Sequence, residues 1–202
     1  VSLSGSALSV VASANTMQIC NDGSQAQLSA SASGGSGIYS YTWTCIPAGS
    51  PVWISSQQNP WVAPIITTTY TVVVNDGYNT ASSTVQVIVN PLPLQFSVTG
   101  GGTYCSSSSG AMVGLSGSQS NISYQLIKDG VPEGPSVIGT GNPISFGNHT
   151  AASVYKVVAT DIITGCVNTM TGSVSITVLP SPTVFTMNPV GQQCPGTIIR
   201  LN

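Results

Sequence analysis

Five cysteines are the residues of this chain best suited to covalent chemistry, because two thiols can be oxidised to a disulfide. They are Cys20, Cys45, Cys105, Cys166 and Cys194. None forms a Cys-x-x-Cys pair and the chain contains 1 histidine, so the spacing does not fit a zinc site. We predict no metal and no other cofactor, and we expect disulfides formed in an oxidising, extracellular compartment.

An enzymatic mechanism would depend on His149, because the chain has no other imidazole. A Ser-His-Asp arrangement would need Asp129 or Asp161 to orient that ring. His149 stands in a Gly-Asn-His-Thr segment that is typical of a solvated turn, and the carboxylates are not spaced for glycoside hydrolysis or a calcium cage. We predict a protein without catalytic residues.

The three tryptophans divide into two kinds. Trp43 stands in an alternating apolar and polar run, which predicts a core residue. Trp53 and Trp61 stand among prolines in an irregular stretch, where an exposed indole could stack on a sugar ring. Packing against the folded core or a neighbouring unit is the simpler interpretation, and surface glycans at Trp53 and Trp61 are the functional alternative.

The composition argues against several classes of partner. Only 4% of residues are charged and the formal net charge is −2, so no basic surface attracts nucleic acid or an anionic membrane. No apolar run approaches the ~20 residues that span a bilayer, and we expect no membrane insertion. The sequence starts at Val1 without a basic and apolar leader, so we expect targeting signals elsewhere in a longer protein.

The sequence repeats itself about every 90 residues. Cys105 follows Cys20 by 85 positions (105 − 20) and Cys194 follows Cys105 by 89 (194 − 105), each before a similar segment. Proline-rich segments at 90–93 and 179–182 fall between the copies and predict short, semi-rigid joints. The period matches one immunoglobulin-sized sandwich per copy, and we expect the third copy to continue beyond Asn202.

Within each copy the apolar residues alternate with a period of two, which indicates strands. An Asn-Asp-Gly turn at 75–77 and an Asp-Gly turn at 129–130 each close one run and indicate hairpins. No window of 12 residues shows helical spacing, so we predict an all-β chain. The alternating runs lie at 26–32, 39–45, 70–74, 84–89, 123–128, 154–160 and 173–178.

Several segments resemble the polycystic-kidney-disease-like (PKD-like), immunoglobulin-like repeat modules of large bacterial surface adhesins, of the kind that gliding bacteria export by type IX secretion. The resemblance rests on Ser31–Gly37, Tyr39–Trp43, Thr67–Gly77, Gly114–Gln119 and Tyr124–Leu126, and on the segments around Cys105 and Cys166. It implies a secreted multi-module stalk with a role in adhesion or motility. Such modules often carry a cysteine after the Asp-Gly turn, where this chain has Tyr78.

One disulfide in each unit is the simplest pairing of the cysteines. Cys20 precedes one predicted strand and Cys45 ends the next, so antiparallel strands would bring both to the same end of the unit. Cys105–Cys166 is the internal pairing of the second unit. In simple immunoglobulin topology, however, these two lie at opposite ends, which leaves either a rearranged first strand or a bridge between units. Cys194 has no partner within its own copy.

We therefore predict tandem immunoglobulin-like (PKD-like) β-sandwiches joined by short Pro-rich linkers. Residues 1–15 would be the end of a preceding module or a linker, 16–91 a PKD-like sandwich, 92–180 a second sandwich, and 181–202 the first strands of an incomplete third module. The predicted function is that of a stiff spacer or fibre-forming unit in an extracellular adhesin or filament. Its partners would be neighbouring modules and like chains.

Three alternatives remain at this stage. The chain could be a carbohydrate-binding module that uses Trp53 and Trp61, or an accessory segment of a secreted hydrolase. It could also form a polymer in which the incomplete third unit is completed by a strand of another chain.

Overall fold

The computed structural model describes residues 6–46 and 53–180, except for the side chain of Trp53. This part of the chain forms β-strands and turns and contains no helix, and accordingly no helix that could cross a membrane. The prediction of an all-β protein built from tandem immunoglobulin-like β-sandwiches is confirmed.

The first sandwich contains eight strands in two sheets. The strands are β1 (Ser9–Ala14), β2 (Gln18–Cys20), β3 (Ala26–Ser33), β4 (Ser40–Cys45), β5 (Trp53–Ser55), β6 (Trp61–Val62), β7 (Thr68–Asn75) and β8 (Thr80–Asn90). One sheet has the spatial order β1-β3-β6 and the other β2-β8-β7-β4-β5. All pairs are antiparallel except β2, which runs parallel to the end of β8.

The second sandwich repeats this plan with ten strands. They are β9 (Val98–Gly100), β10 (Gly102–Cys105), β11 (Ala111–Leu115), β12 (Ile122–Lys128), β13 (Val131–Pro132), β14 (Val137–Ile138), β15 (Ile144–His149), β16 (Ser153–Asp161), β17 (Val167–Thr169) and β18 (Val174–Leu179). The smaller sheet has the order β15-β11-β9. The larger has the order β10-β18-β16-β12-β13, with β14 on β12 and β17 on β16. Here β10 runs parallel to β18.

Each sandwich has its own hydrophobic core. The period-two alternation places one row of side chains from each strand inside. On β3 the inward residues Ala26, Leu28 and Ala30 are at most 1% exposed, and on β12 the same holds for Tyr124 and Leu126. Burial of a large apolar side chain contributes about 1.5–3 kcal/mol, so these rows are the main source of stability.

Trp43 lies at the centre of the first core, as predicted. Its side chain is 0% exposed, and its indole Nε1 donates a hydrogen bond to the carbonyl of Gln58 at 3.1 Å. The polar edge of the ring is therefore satisfied inside the core.

The N-terminal region differs from the expectation that residues 1–15 precede the first sandwich. β1 pairs with β3 over its whole length, and Val10 and Ala12 pack against the first core. In β1 the outward Val11, 65% exposed, follows the inward Val10, and the other side chains are Ser and Ala, so the alternation is weak and the sequence pattern does not reveal this strand. The predicted third unit at 181–202, with Cys194, lies outside the described residues.

Candidate functional site

A disulfide between Cys20 and Cys166 joins the two sandwiches. Cys20 ends β2 of the first sandwich, and Cys166 lies in the turn between β16 and β17 of the second. The two residues are 146 positions apart in sequence, and their Cα atoms are 5.6 Å apart. Cys166 is fully buried, so its sulfur is shielded from solvent.

The chain segment between the sandwiches is anchored on the first sandwich at Asn90. The N–H of Asn21 donates to the carbonyl of Asn90 at 3.0 Å. The side-chain amide of Asn90 donates to Oε1 of Gln18 at 3.3 Å. Because Asn21 directly follows Cys20, this anchor lies beside the disulfide.

The second sandwich holds the same segment from Pro93 onward. The side-chain amide of Asn168 donates to the carbonyl of Pro93 at 2.8 Å, and the N–H of Leu94 donates to Oε1 of Gln119 at 2.6 Å. Only two residues separate Pro93 from the anchor at Asn90, and one of them is a proline, whose φ angle is restricted. The linker and the disulfide therefore tie the sandwiches together at two points.

Asp161 shapes the turn that carries Cys166. Its Oδ1 accepts hydrogen bonds from the N–H groups of Ile163 at 2.8 Å and Thr164 at 3.0 Å. Its own N–H donates to the carbonyl of Cys166 at 2.9 Å. The amide of Thr164 and then that of Ile163 stabilise the carboxylate and hold the pKa of Asp161 below its usual value.

Asp76 plays the same part in the corresponding turn of the first sandwich. Its carboxylate accepts N–H bonds from Asn79 at 2.6 Å, Tyr78 at 2.9 Å and Ser36 at 3.0 Å. These bonds, that of Asn79 first, lower the pKa of Asp76. The sequence predicts no such role for these two aspartates in their turns. Asp161 follows Asp76 by 85 positions (161 − 76), the interval between the first and third cysteines, and that spacing is the signal that could have paired them.

Cys45 is not bonded to Cys20, so the pairing predicted for the first sandwich is wrong. Cys45 lies in register with Tyr70 and, through it, with Val85, whereas Cys20 lies in register with Asn90. Val85 and Asn90 are five residues, or roughly 17 Å, apart along β8, whereas a disulfide spans at most about 7 Å between Cα atoms. Cys45 instead packs in the core, where burial and then this neighbouring thiol raise the pKa of Tyr70 to about 12.

Cys105 is not bonded to Cys166, so the internal pairing predicted for the second sandwich is also wrong. Cys105 lies in register with Leu179, the last residue of β18, and β18 pairs with the beginning of β16. Cys166 follows the end of β16, at the opposite end of the sandwich. Of the two alternatives that the sequence leaves open, the structure shows the bridge between units.

Trp53 and Trp61 lie on edge strands of different sheets. Trp53 begins β5 beside Cys45, and its side chain is outside the described part of the structure. Trp61 begins β6 beside Gln27 and is 55% exposed. Glycan contact at these residues stays a prediction.

His149 ends β15, in contrast to the solvated turn that the sequence predicts. Its ring centroid lies 5.0 Å from that of Tyr155, and its Nε2 is buried without a hydrogen-bond partner among the described residues. Asp129 accepts a hydrogen bond from Oγ of Ser153 at 2.6 Å, and Asp161 bonds to the amides of its own turn. Asp161 therefore stabilises its own turn, whereas Asp129 ties the turn after β12 to the beginning of β16.

A hollow of about 330 Å³ lies beside Asp76 in the first sandwich. The carboxylate of Asp76 already accepts backbone N–H groups, which gives this charge a structural role. In residues 6–46 and 53–180, no three His, Cys, Asp or Glu side chains lie close enough together to hold a metal ion.

No family model and no curated protein matches the chain. Solved structures similar to it include murine CEACAM1b, at 11% identity and a TM-score of 0.42 over 84% of this chain and 100% of that one. Three N-terminal domains of the Hoc outer capsid protein of bacteriophage RB49 match at 14% identity and a TM-score of 0.48, over 85% of this chain and 71% of that one. A segment of titin with three immunoglobulin domains matches at 13% identity and a TM-score of 0.45, over 84% of this chain and 66% of that one.

Proposed function

We propose that this chain is a stiff structural segment of an extracellular bacterial surface adhesin or filament, which acts as a spacer or fibre-forming unit. The observation that carries this proposal is the Cys20–Cys166 disulfide across the joint. A single flexible linker lets two domains reorient, whereas two attachment points restrict that motion. A segment that holds a binding tip at a set distance from a cell requires such a restriction.

The disulfide and the surface both support an extracellular location. Disulfides persist in oxidising compartments and are rare in the cytosol. The segment 1–91 contains only two charged side chains, Asp22 and Asp76, and none lies in a strand. A cross-strand row of threonines, Thr44, Thr71 and Thr84, crosses the five-stranded sheet. Neutral, hydroxyl-rich faces of this kind could approach those of like chains with little charge repulsion.

The test is small-angle X-ray scattering, with negative-stain images, of the oxidised chain and of the double variant Cys20→Ser, Cys166→Ser. We expect one narrow distribution of inter-sandwich orientations for the oxidised chain and a broad one for the variant. Cys105→Ser is the matched control, because it removes a cysteine that is unbonded in the structure. Equal distributions for all three proteins would contradict a role of the disulfide in stiffness.

Carbohydrate binding is the second candidate, favoured by the 55% exposure of Trp61 on an edge strand. A glycan array screened with the oxidised chain tests it, with Trp61→Ala as the loss variant. Tyr78→Ala is the control, because Tyr78 is also an exposed aromatic residue, at 80%, and lies in the turn between β7 and β8 rather than on β6. Binding that is lost only in Trp61→Ala would support this function, and an array without signal would remove it.

A further inference from the structure

We infer that Cys105 forms a second inter-sandwich disulfide. Its partner is the turn cysteine of an adjoining unit of the same type, that is, the cysteine that corresponds to Cys166. This inference rests on the proposed function, because it extends the bonded joint along a row of sandwiches. We compare the position of Cys105, which is free, with that of Cys20, which is bonded.

Cys20 and Cys105 have the same structural position. Cys20 ends a short strand that runs parallel to β8 and is in register with Asn90, the last residue of β8. Cys105 ends a short strand that runs parallel to β18 and is in register with Leu179, the last residue of β18. The amide after each cysteine donates to the carbonyl of that last residue, at 3.0 Å in the first sandwich and 2.9 Å in the second. Each cysteine therefore lies at the end of its sandwich where the chain leaves for the next unit.

The sequence after Leu179 repeats the sequence of the first joint. After Asn90 the chain continues into Pro91, Pro93 and Phe96, and Phe96 packs against the second core. The same residue types recur 89 positions later. They are Pro180, Pro182 and Phe185. This recurrence is independent of the cysteines, and it indicates a second joint with the same connection.

The turn cysteine has a defined counterpart in each unit. In the second sandwich Asp161 donates its N–H to the carbonyl of Cys166, and in the first Asp76 donates its N–H to that of Asn79. The first sandwich thus has Cys20 at the end of its short parallel strand (the strand cysteine) and no turn cysteine. The second sandwich has both, as Cys105 and Cys166. The observed joint uses the strand cysteine of one sandwich and the turn cysteine of the next. Cys105 is the strand cysteine left over, and it is exposed.

Closure of the second bond is a two-electron oxidation for which a small-molecule disulfide, such as oxidised glutathione, suffices. The thiolate of Cys105 attacks one glutathione sulfur, forms a mixed disulfide and releases one glutathione thiolate. The turn thiolate of the adjoining unit then attacks the sulfur of Cys105 and releases the second. Two protein thiols and one glutathione disulfide become one protein disulfide and two glutathione thiols.

The test uses a chain in which residues 1–179 are followed by a second copy of residues 91–180. The second copy carries Cys105→Ser, which leaves no competing strand cysteine, and Val167→Ile, which gives its turn peptide a distinct mass. After oxidation with glutathione, remaining thiols are alkylated, and disulfide-linked peptides are identified by mass spectrometry. We expect Cys20 linked to the first Cys166 and Cys105 linked to the second, each in more than about half of the molecules.

The first joint separates failure of this inference from failure of the proposed function. If Cys20 is linked to the first Cys166 and Cys105 is alkylated, the inference is wrong and the proposed function stands. If neither bond forms, or if Cys105 pairs with Cys166 of its own sandwich, both are wrong. A matched chain with Cys105→Ser in both copies must leave the second Cys166 open to alkylation.

The 202-residue chain provides a second measurement that needs no appended sandwich. In its oxidised native state we expect Cys105 to be alkylated at least about ten times faster than Cys45, because Cys105 is exposed and Cys45 is buried. A bond from Cys105 to Cys194 or to Cys166 in this chain would overturn the inference.

Discussion

Cys20 and Cys166 lie 146 positions apart in sequence and 5.6 Å apart between Cα atoms, and each belongs to a sandwich with its own core. Their bond gives the two sandwiches a second covalent connection besides the linker. Because the linker is anchored on both sides, the position of each sandwich depends on the other.

Removal of this bond should lower stability. In the loop-entropy model a cross-link over this separation stabilises a chain by roughly 4–5 kcal/mol, so the double variant Cys20→Ala, Cys166→Ala should lose up to about that amount. Urea unfolding followed by tryptophan fluorescence measures the loss. Cys105→Ser should stay within about 0.5 kcal/mol of the parent chain. A double variant as stable as this control would show that the bond constrains the joint without stabilising the fold.

The carboxylate of Asp161 should make stability depend on acid pH. Because its native pKa lies below the usual value of 3.8, the ionised form stabilises the folded state above that value. The contribution is lost as the pH falls from about 5 towards the lower native pKa. In Asp161→Asn the melting temperature should therefore fall less between about pH 5 and pH 3 than in the parent chain. Glu133→Gln, which removes a surface carboxylate beside Lys128, should keep the steeper fall, and equal slopes for both variants would contradict this role.

Gly35 and Asp76 should not tolerate a methyl group between them. Gly35 has a φ of +62°, and a Cβ atom there would lie 2.1 Å from Oδ2 of Asp76. Gly35→Ala should displace that carboxylate from its amide partners and cost about 1–3 kcal/mol beyond the backbone strain. Gly37→Ala isolates the strain, because Gly37 also has a positive φ but has no atom within 4 Å of its Cβ position. In thermal unfolding, the melting temperature of Gly35→Ala should be lower than that of Gly37→Ala. The reverse order would contradict the predicted clash between the new methyl group and Asp76.

Lateral association, if the chain forms fibres, should be sensitive to charge on the five-stranded sheet. Thr84 is the exposed member of the threonine row, so Thr84→Lys places a cation on this face and like chains would meet with added repulsion. Sedimentation velocity of the oxidised chain at low salt should show assemblies that Thr84→Lys weakens several-fold. Thr177→Lys makes the same change on an exposed position of β18 and should leave them intact. A parent chain that stays monomeric would argue for a spacer rather than a fibre.

Local patterns account for most of what could be predicted of the fold. The alternation of Ala26, Leu28 and Ala30 predicts β3, and the place of Trp43 in the alternating run 39–45 predicts that it lies in the core. β1 escaped prediction because the exposed Val11 interrupts its alternation and its other residues are Val10, Ser and Ala, so only pairing with β3 identifies it as a strand. The roles of Asp76 and Asp161 escaped it because which amides a carboxylate accepts from depends on the folded turn, and for Asp76 one of them belongs to Ser36, 40 positions away.

The sequence by itself determined the all-β character, the repeat and the positions of the proline-rich segments, because alternation and spacing can be measured directly along the chain. Only the tertiary structure decided which thiols meet. Strand register puts Cys45 in a core and leaves Cys105 exposed at an end, and the close approach of two separate sandwiches brings Cys20 to Cys166. Disulfide partners are set by distance in space, and between residues 146 positions apart that distance follows from packing alone.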